Sequence, residues 1–258
     1  WAELKVDGVR CSATLLPSGE VQYLSYAQKP LYNLEPLTGP LMPLLEEYGV
    51  VDLEILFDED FKKTIQWTRS HTRPEGFLER DLVGYILDLP THPGTLRERY
   101  AARERFLASE YSEHLASPLG KLYESQEALE EALRAVWFRG EEGMMVKDLD
   151  SLYKPGGRTK DWRKLKREKF EDGVIRGYKE AIDLKGNPKG ELGSLDIQLE
   201  SGVRCAASAS RLTREERGAL WAARDSLVGR WAEVRYMQEA SAGGARHPVF
   251  YRLREDKE

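Results

Sequence analysis

The chain opens on short runs in which apolar residues fall at every second position. WAELKV, VRCSATLL and, beyond the turn Pro17-Ser18-Gly19-Glu20, VQYLSY follow this period of two across residues 1–26, which predicts three strands in a meander. Helical spacing follows at 35–48 (EPLTGPLMPLLEEY). VVDLEILF at 50–57 and LVGYILDL at 82–89 are nearly continuous apolar runs, the pattern of strands covered on both faces. Helical periodicity returns over 94–116 and 125–138, where Pro93-Gly94 and Ser125 supply starts. GMMVKD and WRKLKR read as further strands, and 58–80 as a solvated helix and loop.

From about 171 the texture changes. DGVIRGYKEAI, SLDIQLES and VRCAASA are short strand-like segments separated by Gly, Pro and Asn. A helix near 213–225 and the strands WAEVRYMQ and PVFYRL follow. Five strands and one helix in so short a segment suit a small five-stranded barrel of the OB type. The chain is therefore expected to be α+β, with an N-terminal domain over 1–169, a C-terminal β-barrel over 170–258, and a ligand site in the cleft between them.

Composition narrows the class. Of 258 residues, 41% are apolar and 32% charged, enough for one large core or two modest ones. No apolar run approaches the ~20 residues that span a bilayer, and no basic-then-apolar signal opens the chain, so a cytoplasmic protein with no membrane partner is expected. Cys11 and Cys205 lie far apart with no CxxC pair, which argues against a disulfide framework or a structural zinc site. The net charge of −5 argues mildly against a nucleic-acid partner, but it is unevenly spread. Residues 151–169 carry eight basic and two acidic residues, whereas 170–258 carry fifteen of each.

Three groups of residues could carry chemistry. Lys5-Val6-Asp7-Gly8-Val9-Arg10 lies where the first two strands join. A lysine attacks phosphorus only when its amine is neutral, so it needs a pocket that lowers its pKa. Beside it, Gly8 permits close backbone approach and Arg10 could grip a phosphate bidentately. In WRKLKR, Lys164 and Lys166 point to the same side of a strand, a costly arrangement unless an anion such as a polyphosphate lies between them. The same pair would neutralise charge during phosphoryl transfer. Asp52, Glu54 and Glu142 are carboxylates in or beside apolar runs and need partners. Mg²⁺, which takes one or two carboxylates with phosphate oxygens, would serve for Glu54 or Glu142; a structural ion pair with a lysine is the equal alternative for Asp52.

Read in order, these pieces resemble the ATP-dependent DNA ligases, within the covalent nucleotidyltransferases that also include RNA ligases and mRNA-capping enzymes. The resemblance rests on K-x-D-G-x-R at 5–10, D-x-E at 52–54, the aromatic run with Tyr85, E-G-x-x-x-K at 142–147, W-x-K-x-K at 162–166 and F-x-R-x-R-x-D-K at 250–257. It is strongest toward short phage ligases, through YKPGGRTKDWRKLK, LESGVRC and MQEASAGGARHPVF. It implies an N-terminal nucleotidyltransferase (adenylation) domain with antiparallel sheets and flanking helices, and a C-terminal OB-fold domain that closes over the nucleotide.

The same resemblance implies that Lys5 takes AMP covalently from ATP, passes it to the 5′-phosphate of a nick in duplex DNA, and that the 3′-hydroxyl then displaces AMP. Glu3 would contact adenine, Arg10 and Glu54 the ribose or nick phosphate, and Tyr85 would stack on the base. Lys147, Lys164 and Lys166 would complete the nucleotide site. Arg252, Arg254 and Lys257 would orient the pyrophosphate leaving group. Glu142 and Glu54 would hold Mg²⁺ or Mn²⁺, and Arg10, Lys154, Arg158 and Lys160 would touch DNA. Apart from the resemblance, the mixed charge of 58–80 and Trp67 make that segment a lesser candidate for DNA contact beside its reading as a solvated helix and loop. A monomer is expected, in the host cytoplasm if phage-encoded.

The chain departs from the family in three places. Asp52-Leu53-Glu54 stands where the family has Asp-Gly-Glu, and Ser25-Tyr26 where it has Ser-Arg, so Tyr26 supplies no cation to a nick. Only four residues precede Lys5, and a further segment completing the adenine pocket is expected ahead of them. An RNA ligase, a GTP-using capping enzyme and an inactive nucleic-acid-binding module are the competing readings. The retained carboxylates count against the last, because a pure binder needs only the cations. An NAD-dependent ligase would bring zinc-ligating cysteines and far greater length.

Overall fold

Strand and helix periods convert into an ordered series of elements in the computed structural model, which describes residues 1–109, 112–156, 159–237, 239–240 and 244–257. Contacts divide the chain into two units, Trp1–Leu165 and Lys166–Glu258. The first unit contains β1 (Ala2–Leu4), β2 (Val9–Leu15), β3 (Val21–Ser25), α1 (Glu35–Tyr48), β4 (Val50–Phe57), α2 (Phe61–Arg69), β5 (Leu82–Asp88), α3 (Leu96–Ser109), β6 (Leu115–Ala116), β7 (Gly120–Lys121), α4 (Gln126–Phe138) and β8 (Gly143–Lys147). Strand β9 (Trp162–Lys166) runs across the join.

These strands form two sheets, β3-β2-β4-β5-β6 and β7-β1-β8-β9. Leu37, Leu41, Leu44 and Leu45 recur along α1 at helical spacing and are buried with Cys11, Ala13, Leu53, Ile55 and Ile86 of the five-stranded sheet. Helix α4 starts at Ser125, whose Oγ accepts from the Ala128 amide at 3.1 Å. It buries Leu133 and Val136 with Ala2 and Met144 of the four-stranded sheet.

Three expectations are overturned. The opening meander does not form: β2 and β3 pair, but β1 leaves them for the other sheet, with Ala2 opposite Val146 and Leu4 opposite Met144. The break falls at Val6-Asp7-Gly8, where a Cβ on Gly8 would lie 2.2 Å from the Ile55 carbonyl oxygen, so only glycine lets the chain pass against β4. Helix α3, described over Leu96–Ser109, does not run to 116: Leu115–Ala116 instead extends the five-stranded sheet parallel to β5. His114 anchors that extension: its Nδ1 lies 2.9 Å from the Leu82 carbonyl and its own carbonyl accepts from Gly84. Trp67 is not a surface candidate for DNA contact. It is buried, stacks on Phe57 at 4.5 Å and donates Nε1–H to the Asn33 carbonyl at 2.9 Å.

The second unit contains β10 (Lys169–Ile182), β11 (Pro188–Leu199), β12 (Arg204–Ser208), α5 (Arg214–Ala222), β13 (Trp231–Tyr236), β14 (Glu239–Ala240), β15 (Gly244–Ala245) and β16 (Val249–Leu253). A closed barrel of order β10-β11-β12-β16-β13 surrounds Ile175, Leu195, Ile197, Ala207, Val234 and Phe250. Closure is made by the parallel contact of β12 with β16, Ser208 opposite Val249. A capping box, Thr213 with Glu216, starts α5. Both cysteines are free and buried; burial pushes the Cys11 thiol far up and that of Cys205 to about 11. Among the described residues no helix is long and apolar enough to cross a membrane.

Because Trp67 fills the space between α2 and the sheet with its polar edge satisfied, Trp67→Ala is expected to cost about 3 to 5 kcal/mol of unfolding free energy. Urea denaturation reads this, and a loss under about 1 kcal/mol would show that the site collapses around the cavity.

Candidate active site

Lys5 is the first residue past the end of β1, and its backbone is fixed before its side chain is considered. The Leu4 amide donates to Leu119 O at 2.8 Å and the Lys5 amide to Gly143 O at 2.9 Å. The side chain then reaches Glu142, the residue ahead of β8, and Lys5 Nζ donates to Glu142 Oε2 at 2.6 Å. Both groups are partly accessible, at 22% and 10% of their side-chain surface. Lys5 lines a cavity of about 150 Å³ together with Glu3, Arg10, Glu54, Lys147 and Trp162.

The cavity floor is a buried charge cluster. Lys147 Nζ forms an ion pair with Glu3 Oε1 and donates to the Tyr100 hydroxyl at 2.5 Å; that hydroxyl donates to Glu3 Oε2 at 2.8 Å. Lys147 also lies 3.8 Å from the Trp162 ring centroid. Burial pulls the Lys147 ammonium below its ordinary range, and Glu3 opposes this. Tyr100 is pushed far up, first by burial and then by the Glu3 carboxylate. Behind it, Arg103 packs over the Tyr100 ring at 3.8 Å and Arg99 donates to Asp88 Oδ1 at 2.6 Å. All of these side chains are satisfied by one another, which is the condition for burying charge.

The wall is formed by β2 and β4, whose register sets Arg10 opposite Glu54 and Ser12 opposite Asp52. Asp52 has its partner: Arg10 grips it bidentately through Nε and Nη2, so the structural pair is with an arginine rather than a lysine. Burial raises the Asp52 pKa and Arg10 pulls it back. Glu54 is pushed up to about 7, chiefly by burial; Lys5 and Arg10 oppose the shift and the Asp52 and Glu142 carboxylates add to it.

Glu54 and Glu142, whose carboxylates act on each other electrostatically, are hard oxygen donors of the kind Mg²⁺ takes, one or two at a time, completing its shell with water and phosphate oxygens. No group of three or more His, Cys, Asp or Glu that could hold a metal is found among the described residues.

The remaining candidates are more dispersed. Tyr85 stands opposite Glu54 in the β4–β5 ladder, but the cavity wall on β5 is Leu87. Trp162, Lys164 and Lys166 share one side of β9 by alternation. Lys154 pairs with Asp161 at 2.8 Å, Lys160 is exposed, and Arg158 lies outside the described residues. In the barrel unit, Arg254 and Lys257 converge on Asp172 at 2.5 and 2.7 Å, while Arg252 pairs with Glu233 at 2.7 Å. Sequence reasoning missed Tyr100 and the Arg99–Asp88 pair. The available signal was the spacing of Leu96, Arg99, Tyr100 and Arg103, which puts two arginines on the apolar side of α3.

The family model for the ATP dependent DNA ligase domain matches residues 1–166. The chain is 30% identical over 173 residues to the DNA ligase of Enterobacteria phage T3, covering 64% of this chain and 46% of that protein. To the DNA ligase of Escherichia phage T7 it is 26% identical over 183 residues, 62% of this chain and 47% of the relative. The chain thus spans about half the length of the curated relatives it matches. A structure from a study of DNA binding with a minimal scaffold in Lig E DNA ligases superposes with a TM-score of 0.78 at 19% identity, covering 98% of this chain and 92% of its own. That likeness shows a shared fold: a nucleotidyltransferase-type α+β unit and an OB-like barrel.

The raised pKa of Glu54 carries a stability signature. Stability from a carboxyl whose folded pKa lies above its unfolded value is fully present below about 4.5 and is lost as pH rises through about 7. Glu54→Gln stays neutral throughout. The difference in unfolding free energy, variant minus wild type, should therefore rise by on the order of 2 kcal/mol between about pH 4 and pH 8. Paired urea titrations give this difference, and a flat one would contradict the assignment.

Proposed function

Because the chain belongs to the ATP-dependent DNA ligase domain family, we propose that it seals 5′-phosphate/3′-hydroxyl nicks in duplex DNA through a lysyl-AMP intermediate on Lys5. The observation that carries this reading is the Lys5 Nζ–Glu142 Oε2 contact of 2.6 Å at a cavity lined by Glu3, Arg10, Glu54, Lys147 and Trp162. A nucleophilic amine, anion-binding cations and hard carboxylates around one small cavity are what nucleotidyl transfer requires.

In this reading the neutral Lys5 amine, its lost proton passing to solvent, attacks the α-phosphorus of ATP. A P–N bond forms and the P–O bond to pyrophosphate breaks. An oxygen of the DNA 5′-phosphate next attacks the same phosphorus, the P–N bond breaks, and Lys5 regains its proton. The 3′-hydroxyl then attacks the activated 5′-phosphorus and AMP leaves. Glu3 and Lys147 bind at the adenine end with Tyr85, Arg10 and Glu54 hold ribose or the nick phosphate, and Lys164 and Lys166 hold the α-phosphate. Arg252, Arg254 and Lys257 orient pyrophosphate. Arg10, Lys154, Arg158 and Lys160 contact DNA. Mg²⁺ held by Glu142 and Glu54 supplies charge neutralisation when bound.

Incubation with α-labelled ATP and Mg²⁺, followed by denaturation, should leave label on the protein, and Lys5→Ala should reduce it to background. Label taken from GTP in preference to ATP would point to capping chemistry, and none from either nucleotide would overturn the reading.

A further inference from the structure

Helix α3 places one polar atom between two buried charges of β1 and β8. Tyr100 is buried: Trp1 meets its ring at 75° and 5.9 Å, and Arg103 covers the ring at 3.8 Å. A phenylalanine would fill that space equally well. What tyrosine adds is a hydroxyl, which donates to Glu3 Oε2 at 2.8 Å and accepts from Lys147 Nζ at 2.5 Å. Trp1 Nε1 donates to the same carboxylate oxygen at 3.3 Å, and Lys147 takes the other. Glu3 and Lys147 line the Lys5 cavity, and Tyr100 stands behind them, outside its lining.

We propose that Tyr100 is a positioning residue for nucleotide recognition: its hydroxyl pins Glu3 and Lys147 from behind and makes the carboxylate a fixed acceptor that selects a base with an amino group on its edge. This rests on the nucleotidyl-transfer reading, which sets Glu3 and Lys147 at the adenine end, and adds the group that orients them. A carboxylate offers about four acceptor positions, and among the described residues Tyr100, Trp1 and Lys147 take three. What remains can accept and cannot donate, so it suits an exocyclic amine and repels a carbonyl oxygen. Burial and the Glu3 carboxylate push the Tyr100 pKa up, so the hydroxyl keeps the proton it donates. Without that hydroxyl, Glu3 Oε2 loses the shorter of its two contacts and Lys147 loses an acceptor, and the carboxylate is free to turn. A site built to bond a substrate N–H rejects an analogue lacking it only while its own polar groups are held in place.

The probes are α,β-methylene-ATP, whose P–C bond blocks transfer of AMP to a lysine, and the same molecule with hydrogen in place of the 6-amino group, each titrated calorimetrically into the full chain. Wild type should bind the first at least about tenfold more tightly, and Tyr100→Phe should bring the ratio to within about twofold. Replacing Tyr100 by 4-aminophenylalanine, which returns a donor at the same place on the ring, should restore the preference. A purely structural role would weaken both probes alike, so a preference retained in Tyr100→Phe would overturn the proposal. So would a wild type that binds both probes equally or neither. If Tyr100→Phe does not fold, the 4-aminophenylalanine protein decides, and loss of the preference there overturns the proposal. Binding of these probes needs no transfer, so a wild type that takes no label from ATP would defeat the lysyl-AMP reading separately.

Discussion

One buried ion pair, Glu3 with Lys147, holds the site in place. It joins β1 to β8 across 144 residues of sequence, in a region where an unpaired charge would be prohibitively expensive. Its geometry is over-determined: Tyr100 bridges the two charges from α3, and Trp162 covers the ammonium. Register therefore cannot slip by a residue without exposing one charge to apolar surroundings. Lys5 lies two residues beyond Glu3, and Glu142 sits just ahead of β8. The meeting of the lysine and its carboxylate follows from a lock that neither of them forms.

A second regularity is that the cations around the cavity already have carboxylate partners. Lys5 has Glu142, Arg10 has Asp52 and Lys147 has Glu3. The barrel unit repeats the habit with Arg252 on Glu233 and with Arg254 and Lys257 on Asp172. A net charge of −5 is thus compatible with a phosphate-handling surface, because charge is balanced pair by pair rather than by region. Any phosphate engaging these groups competes with carboxylates already in contact. Affinity then depends on differential pairing and on counter-cations more than on bulk attraction.

Local features of the chain were legible in the sequence, and long-range ones were not. The period of 3.6 over 35–48 and the Ser125 start appear as α1 and α4, and the spacing of short strands after 171 appears as the closed barrel. The partner of β1 was not legible, because alternation states that a segment is a strand without stating what it pairs with. Trp67 was misjudged for a related reason: its neighbours are charged, yet its helix face meets Phe57 and Phe77. Lys5, Glu54 and Glu142 stood out by residue type, but the contact between the first and last arises only from the fold. Tyr100 carried no motif, and only its spacing with Arg99 and Arg103 marked it.

The pairing of β1 with β7 and β8 also has a temporal consequence. During synthesis Gly120–Lys121 and Gly143–Lys147, which complete the sheet of β1, emerge more than a hundred residues after Lys5. Until then β1 has exposed edges on both sides, and Glu3 lacks its counter-charge. The β2–β3 hairpin can close early from local contacts. The β2–β3 scaffold therefore forms from local contacts before Lys5 meets Glu142, a contact that waits on the segment just ahead of β8.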